Sequence, residues 1–152
     1  MPDKHDRAAI ARAIIDSNLY MVLGTSDRDG RPWVSPVYYA QAGYREFFWV
    51  SSPDARHSRN LATRAEVSIV IFDSSVPIST GQGVYMSAAA QELDGDERAD
   101  AIEIFSRRSL AHGGPEWTVE RVQAPAHLRL YRAKAVDLDV LYEDDRRVPV
   151  AP

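Results

Sequence analysis

The chain contains no cysteine. Disulfides, thiolate nucleophiles and cysteine-held metals are therefore excluded, and a cytoplasmic setting is expected. There is no apolar run of the roughly 18 residues that a membrane-spanning helix needs. The opening stretch, MPDKHDRAAIARAIIDSN, mixes charges into its apolar positions, so it does not read as a secretory leader. A basic excess is also missing: 18 Lys and Arg face 22 Asp and Glu, for a net charge of −4. A chain so balanced lacks the broad positive surface that nucleic acid requires, so no nucleic-acid partner is predicted. The four histidines, His5, His57, His112 and His127, include no pair at helical or hairpin ligand spacing, and no metal site is predicted. No G-x-S-x-G elbow occurs, and Gly81-Gln82-Gly83 runs into Met86 where a dinucleotide fingerprint needs glycine. No catalytic residue is identified.

What remains is ordinary globular material: 152 residues, 45% hydrophobic and 26% charged, read as one domain over 1–152. Residues 7–17 place Ala8, Ile10, Ala11, Ile14 and Ile15 at helical spacing. Strands are predicted over 19–26, 31–40, 45–51, 66–72, 83–93 and 128–141. Asp27-Arg28-Asp29-Gly30 is the turn of the first hairpin. Pro32 and Pro36 make the second strand an edge or a bulged strand. Ala88-Ala89-Ala90 suits a helix by propensity but lies in a strand pattern. A short helix is predicted at 53–63, and a longer one at 94–112 with Ala101, Ile102, Phe105 and Leu110 inward. The latter belongs to a helical insertion near 94–127, and the tail from about 143 is expected to be loose. The element order does not alternate as βαβ units. It predicts an α+β fold: a six-stranded, mostly antiparallel β-barrel with flanking helices.

One stretch concentrates donors in this acidic chain: SSPDARHSRNL, residues 51–61. Ser52 then Pro53 reads as an N-cap followed by the first helical residue. Arg56, His57 and Arg59 then stand near the positive end of the helix dipole, where cations are unfavourable unless an anion binds. Two readings stay open: a solvated helix start, or a phosphate seat. Trp33, Tyr38, Tyr39, Trp49 and Tyr85 lie on nearby predicted strands, either as core or as the wall of a flat ligand.

The segments LGTSDRDGRPWVSPVYYA (23–40), FFWVSSPDARHSRNLATRAEVSIVIFDS (47–74) and GQGVYMSAAAQEL (81–93) resemble the pyridoxamine 5′-phosphate oxidase-like, flavin-binding split-barrel proteins. The resemblance implies a split barrel, a homodimer with cofactor sites at its interface, and FMN-dependent oxidoreductase activity on a small molecule. A deazaflavin coenzyme is the alternative cofactor, and a non-catalytic flavin-binding module the alternative role. By resemblance, Arg56 and His57 hold the cofactor phosphate, with Val50, Ser51 and Ser52 just before them. Trp33, Val34, Ser35, Pro36 and Val37 run beside the flavin ring, and Gln82 reaches the cofactor of a partner subunit. His57 replaces a residue that is usually lysine. The second strand, WVSPVYYA, carries neither the arginine nor the lysine of pyridoxamine phosphate oxidases proper, and LYEDDRRVPVAP lacks their C-terminal pattern. Both departures argue against pyridoxine 5′-phosphate as substrate.

Overall fold

The computed structural model describes residues 4–142 and 145–152. Its elements run α1 (Lys4–Ser17), β1 (Tyr20–Ser26), β2 (Pro32–Tyr38), β3 (Ala40–Ala42), β4 (Glu46–Ser51), α2 (Arg56–Thr63), β5 (Glu66–Phe72), β6 (Gly83–Glu92), α3 (Gly95–Ala111), a 3-10 turn (Val119–Val122), β7 (Arg129–Tyr142) and β8 (Arg146–Pro149). The strands form one antiparallel sheet in the order β2-β1-β5-β6-β7-β4-β3, with β8 on β7. The sheet curls into a split barrel, and the class is α+β as expected.

Two strands exceed the predicted six. Residue 40 closes the predicted second strand and Gln41-Ala42-Gly43 reads as a turn, but 40–42 pair with β4 as β3. Three residues are too few to show a strand period. The turn falls two residues later, at 43–45, where Gly43 and Tyr44 both take positive φ. The tail is the second correction. Glu143, its expected start, lies outside the described residues, but 146–149 pair with 139–142 as β8 rather than hanging loose.

Two apolar clusters sit on opposite sides of the sheet. The larger one fills the barrel and includes Ala11 and Ile15 of α1, Leu23, Phe47, Trp49, Ile71, Ala88 and Ala90. The alanine triplet is a strand because its backbone pairs with β5 on one side and β7 on the other, with Ala88 and Ala90 facing the core. Tyr39 donates to the Ile15 carbonyl at 2.6 Å, and its burial pushes the phenol pKa up to about 12. The second cluster lies between α3 and the sheet, around Phe48, Leu130, Ile102 and Phe105. Leu110, expected inward, is 55% exposed. Ser106 and Ser109 are buried instead, bonding the segment that folds back after α3.

The first hairpin turns as predicted. Asp27 accepts from the N–H groups of Arg31 and Asp29, both at 2.9 Å, which holds its carboxyl below the usual range. Gly30 supplies φ +84°. Across β6 and β7 the register slips so that Ser87 faces Asp137 and Ala88 faces Ala135. Val136 is the extra residue of this bulge, pushed outward and 65% exposed.

Helix α2 is tied to the barrel at two points. Leu61 enters the main core, and the buried Asn60 amide donates to Thr25 Oγ1 at 3.1 Å. Asn60→Ala would remove the buried donor to Thr25 Oγ1, which keeps only its own bond to the Trp33 carbonyl at 3.4 Å, and is expected to lower stability by about 1–3 kcal/mol. Urea denaturation followed by tryptophan fluorescence measures it, and an unchanged midpoint would show the bond to be dispensable.

Candidate functional site

The junction of β4 and α2 is built differently from the sequence expectation. Ser52 is not the N-cap. Its hydroxyl accepts from the Asp54 N–H at 3.1 Å, and its carbonyl accepts from the Ala55 N–H at 3.1 Å. The result is a β-turn over 52–55 with Pro53 in its second place, where the fixed φ of proline fits. The helix opens only at Arg56, after an extended Ala55. Alanine has no side-chain acceptor, so α2 begins without a side-chain cap and with no acid in its first turn.

This leaves the positive end of the helix among donors. Arg56 is exposed, and its guanidinium lies 4.2 Å from the centre of the Trp33 ring. Trp33 stands at the start of β2 and is 41% exposed. The cation–π contact gives Arg56 a defined seat without using its N–H groups. His57 Nε2 and Ser51 Oγ are 2.9 Å apart in a hydrogen bond. Burial pushes the His57 pKa below its ordinary 6.5. Ser58 donates to the Ser52 carbonyl at 2.7 Å and closes the junction. Ser51, Ser52, Arg56, His57 and Trp33 therefore gather within one chain. Arg59 is exposed on the helix, and Arg64 donates to the Arg28 carbonyl at 3.1 Å.

The other expected contacts disperse by strand parity. Ser35 is half-buried on the Trp33 side of β2, and Val37 on the same side enters the core. Val34 and Pro36 point the other way and are exposed. Val34 borders two adjoining outer grooves of about 760 and 840 Å³ that share Gly24, Ser68, Ser87 and Val136. Val50 packs toward the α3 cluster, opposite to Ser51. Gln82 precedes β6 and borders a separate pocket of about 330 Å³ with Phe72 and Leu141. Within one chain it does not join the α2 group.

The expected aromatic wall divides likewise. Tyr39 and Trp49 are wholly buried, with Trp49 stacked on Tyr131 at 5.8 Å. Tyr85 lies under Arg147, and Tyr38 contacts α3. Only Trp33 stands beside the α2 group. Neither the Trp33–Arg56 stack nor the Asn60–Thr25 anchor was read from the sequence. Each joins residues more than twenty positions apart, and no local pattern marks such a pair. Among the described residues, no three His, Asp or Glu gather as metal ligands, and no helix is long and apolar enough to cross a membrane.

The sequence profile of pyridoxamine 5′-phosphate oxidase matches residues 9–139. A heme-binding protein from Mycobacterium smegmatis superimposes with a TM-score of 0.76 at 23% identity, over 99% of this chain and 58% of that one. The chain thus spans less than two thirds of that relative. HutZ, the heme storage protein from Vibrio cholerae, gives 0.67 at 22% identity, over 84% of this chain and 89% of its own. An F420 reductase gives 0.62 at 16%, over 84% of this chain and 94% of that one. At these identities the likeness establishes the fold. A search of curated proteins found no match.

The state of His57 is open to a direct test. Its pKa is depressed in the fold, so it binds its proton more readily when unfolded. Its contribution is complete above about pH 6.5 and is lost as pH falls through the folded value. The unfolding midpoint of ligand-free protein should therefore fall more between pH 7 and 5 than that of His57→Gln, by thermal scans in matched buffers. Parallel profiles would show that His57 is not held neutral.

Proposed function

Since the chain belongs to the pyridoxamine 5′-phosphate oxidase family, we propose that it is a homodimeric, flavin-binding oxidoreductase that seats the phosphate of FMN at the start of α2. The carrying observation is the uncapped helix N-terminus, with Arg56, His57 and Ser51 beside it and no first-turn acid. A phosphate dianion suits that set: the helix start supplies oriented N–H donors and partial positive charge. Arg56 adds charge-assisted hydrogen bonds from a guanidinium already positioned over Trp33. His57, neutral in the free chain, becomes a second cation when an anion raises its proton affinity. Ser51 then adds a hydroxyl donor.

FMN, when bound, supplies the hydride-transfer chemistry itself, and the protein supplies binding and orientation. That division fits a chain with no evident acid–base dyad. The exposed backbone and side chains of β2 are available to border the ring, Val34 and Pro36 on one face and Trp33 on the other. Gln82, remote from the seat within its own chain, suits contact across a dimer. The substrate is a small molecule other than pyridoxine 5′-phosphate, since β2 offers no cation for a second phosphate.

A deazaflavin coenzyme is the second reading, favoured by the exposed Arg59 that extends the basic face of α2. Its longer acidic tail would need such an extension. The same α2 seat would also serve a carrier that binds flavin without turnover.

Absorption and mass analysis of the purified protein tests the reading first. Released FMN supports it, deazaflavin selects the second reading, and a preparation that carries heme and takes up neither flavin overturns both. Arg56→Ala should then weaken FMN binding by about 1.5–3 kcal/mol with the fold intact, by fluorescence titration. Unchanged affinity would return Arg56 to the solvent. Binding should also tighten as pH falls from about 8 towards 6.5, because complex formation takes up a proton at His57. His57→Gln should flatten that dependence.

A further inference from the structure

A further cavity lies away from the α2 seat, at the C-terminal end of α3. It encloses about 360 Å³, at the small end of the roughly 300–1,000 Å³ usual for ligand sites. Its walls are mainly aromatic and apolar, with Tyr38, Phe105, Trp117, Val50 and Leu128 among them. The rings meet edge to face: Tyr38 lies 5.6 Å from Phe105, and Phe105 lies 5.7 Å from Trp117. Leu19 and Tyr20 border the same space and remain 42% and 60% exposed.

The wall after α3 is held by its own bonds. Ser109 donates to the Pro115 carbonyl at 2.7 Å, and the Trp117 N–H donates to Ser106 at 2.8 Å. A side chain at position 114 would meet Ser109 Oγ at 2.6 Å, so glycine is required for the chain to pass. With the Ser109 hydroxyl engaged, Tyr38 and the exposed His112 form a bonded polar pair in a lining that also holds the Tyr20 phenol. Tyr38 Oη and His112 Nδ1 are 2.8 Å apart, joining residues 74 positions apart in sequence. If the phenol donates to Nδ1, the neutral imidazole keeps its proton at Nε2. That N–H has no protein acceptor among the described residues.

We propose that this cavity binds a neutral one- or two-ring aromatic molecule bearing a single hydrogen-bond acceptor, taken by His112 Nε2–H. The volume sets the ring count, and the aromatic walls suit a flat apolar body. No lysine, arginine, aspartate or glutamate lines the space, so a charged ligand would lose its hydration without a counter-ion. The site is independent of the flavin reading. Val50 faces this cavity, whereas Ser51, the next residue, faces the α2 seat.

1-Indanone and its carbonyl-free counterpart indane test the proposal, titrated into methyl-labelled full-length protein and followed by NMR. Saturable shifts are expected at the methyls of Leu19, Val50 and Leu128 with both compounds. 1-Indanone should bind roughly fivefold tighter, the effect of one neutral hydrogen bond. His112→Leu should erase that preference and leave indane affinity unchanged, and Leu19→Trp, which fills the mouth, should abolish both. The absence of saturable shifts overturns the proposal, as do shifts centred on Val34 and Val136. Equal weakening of both compounds by His112→Leu also overturns it, because Tyr38–His112 would then be only a clip between β2 and α3. Flavin titration of the same sample fails or succeeds separately.

Discussion

Strand β4 is buried on both faces, and the placement of both sites follows from that constraint. Phe47 and Trp49 enter the barrel core, while Phe48 and Val50 pack toward α3. Successive side chains of a strand point to opposite faces, so the choice is made for the whole strand at once. A slip of one residue would put two phenylalanines, a tryptophan and a valine on the wrong sides. Pairing with β3 on one edge and β7 on the other holds the register. Ser51 then falls on the side of α2, and Val50 borders the aromatic cavity.

The start of α2 carries an electrostatic cost that the rest of the helix offsets. Two cationic residue types stand where the dipole disfavours them, without a capping side chain. Arg56 lessens the conflict by stacking on Trp33, and His57 does so by burial in its neutral form. Leu61 and the Asn60–Thr25 bond secure the helix from its other side. A helix held by its buried face can keep an unfavourable end, and such local conflict is expected at sites that await a ligand.

Long elements with a clear period were legible in the sequence. The hairpin of β1 and β2, the β-branched β5 and the helices α1 and α3 lie within a few residues of their predicted bounds. Errors gathered where local signals are short or shared. Ser52-Pro53 suits an N-cap and a β-turn equally, and only the bonds to Asp54 and Ala55 separate the two. Leu110 fits the apolar stripe of α3, but the segment after the helix folds onto Ser106 and Ser109 instead. The tail reads as charged coil because β8 pairs through its backbone, which composition does not report. Of the site residues, Ser51, Ser52, Arg56 and His57 cluster in sequence and were readable as a group.

The sequence by itself determined the α+β class, the turn of the first hairpin, the family and the local donor cluster. All of these rest on residues near one another in the chain, where period, propensity and spacing act directly. Tertiary structure alone decided that Trp33 carries Arg56, that Thr25 anchors Asn60, and that Tyr38 meets His112. Each of these contacts closes a loop of more than twenty residues. Such pairings depend on how the sheet curls and on which face each strand presents, and a packed core settles both only as a whole.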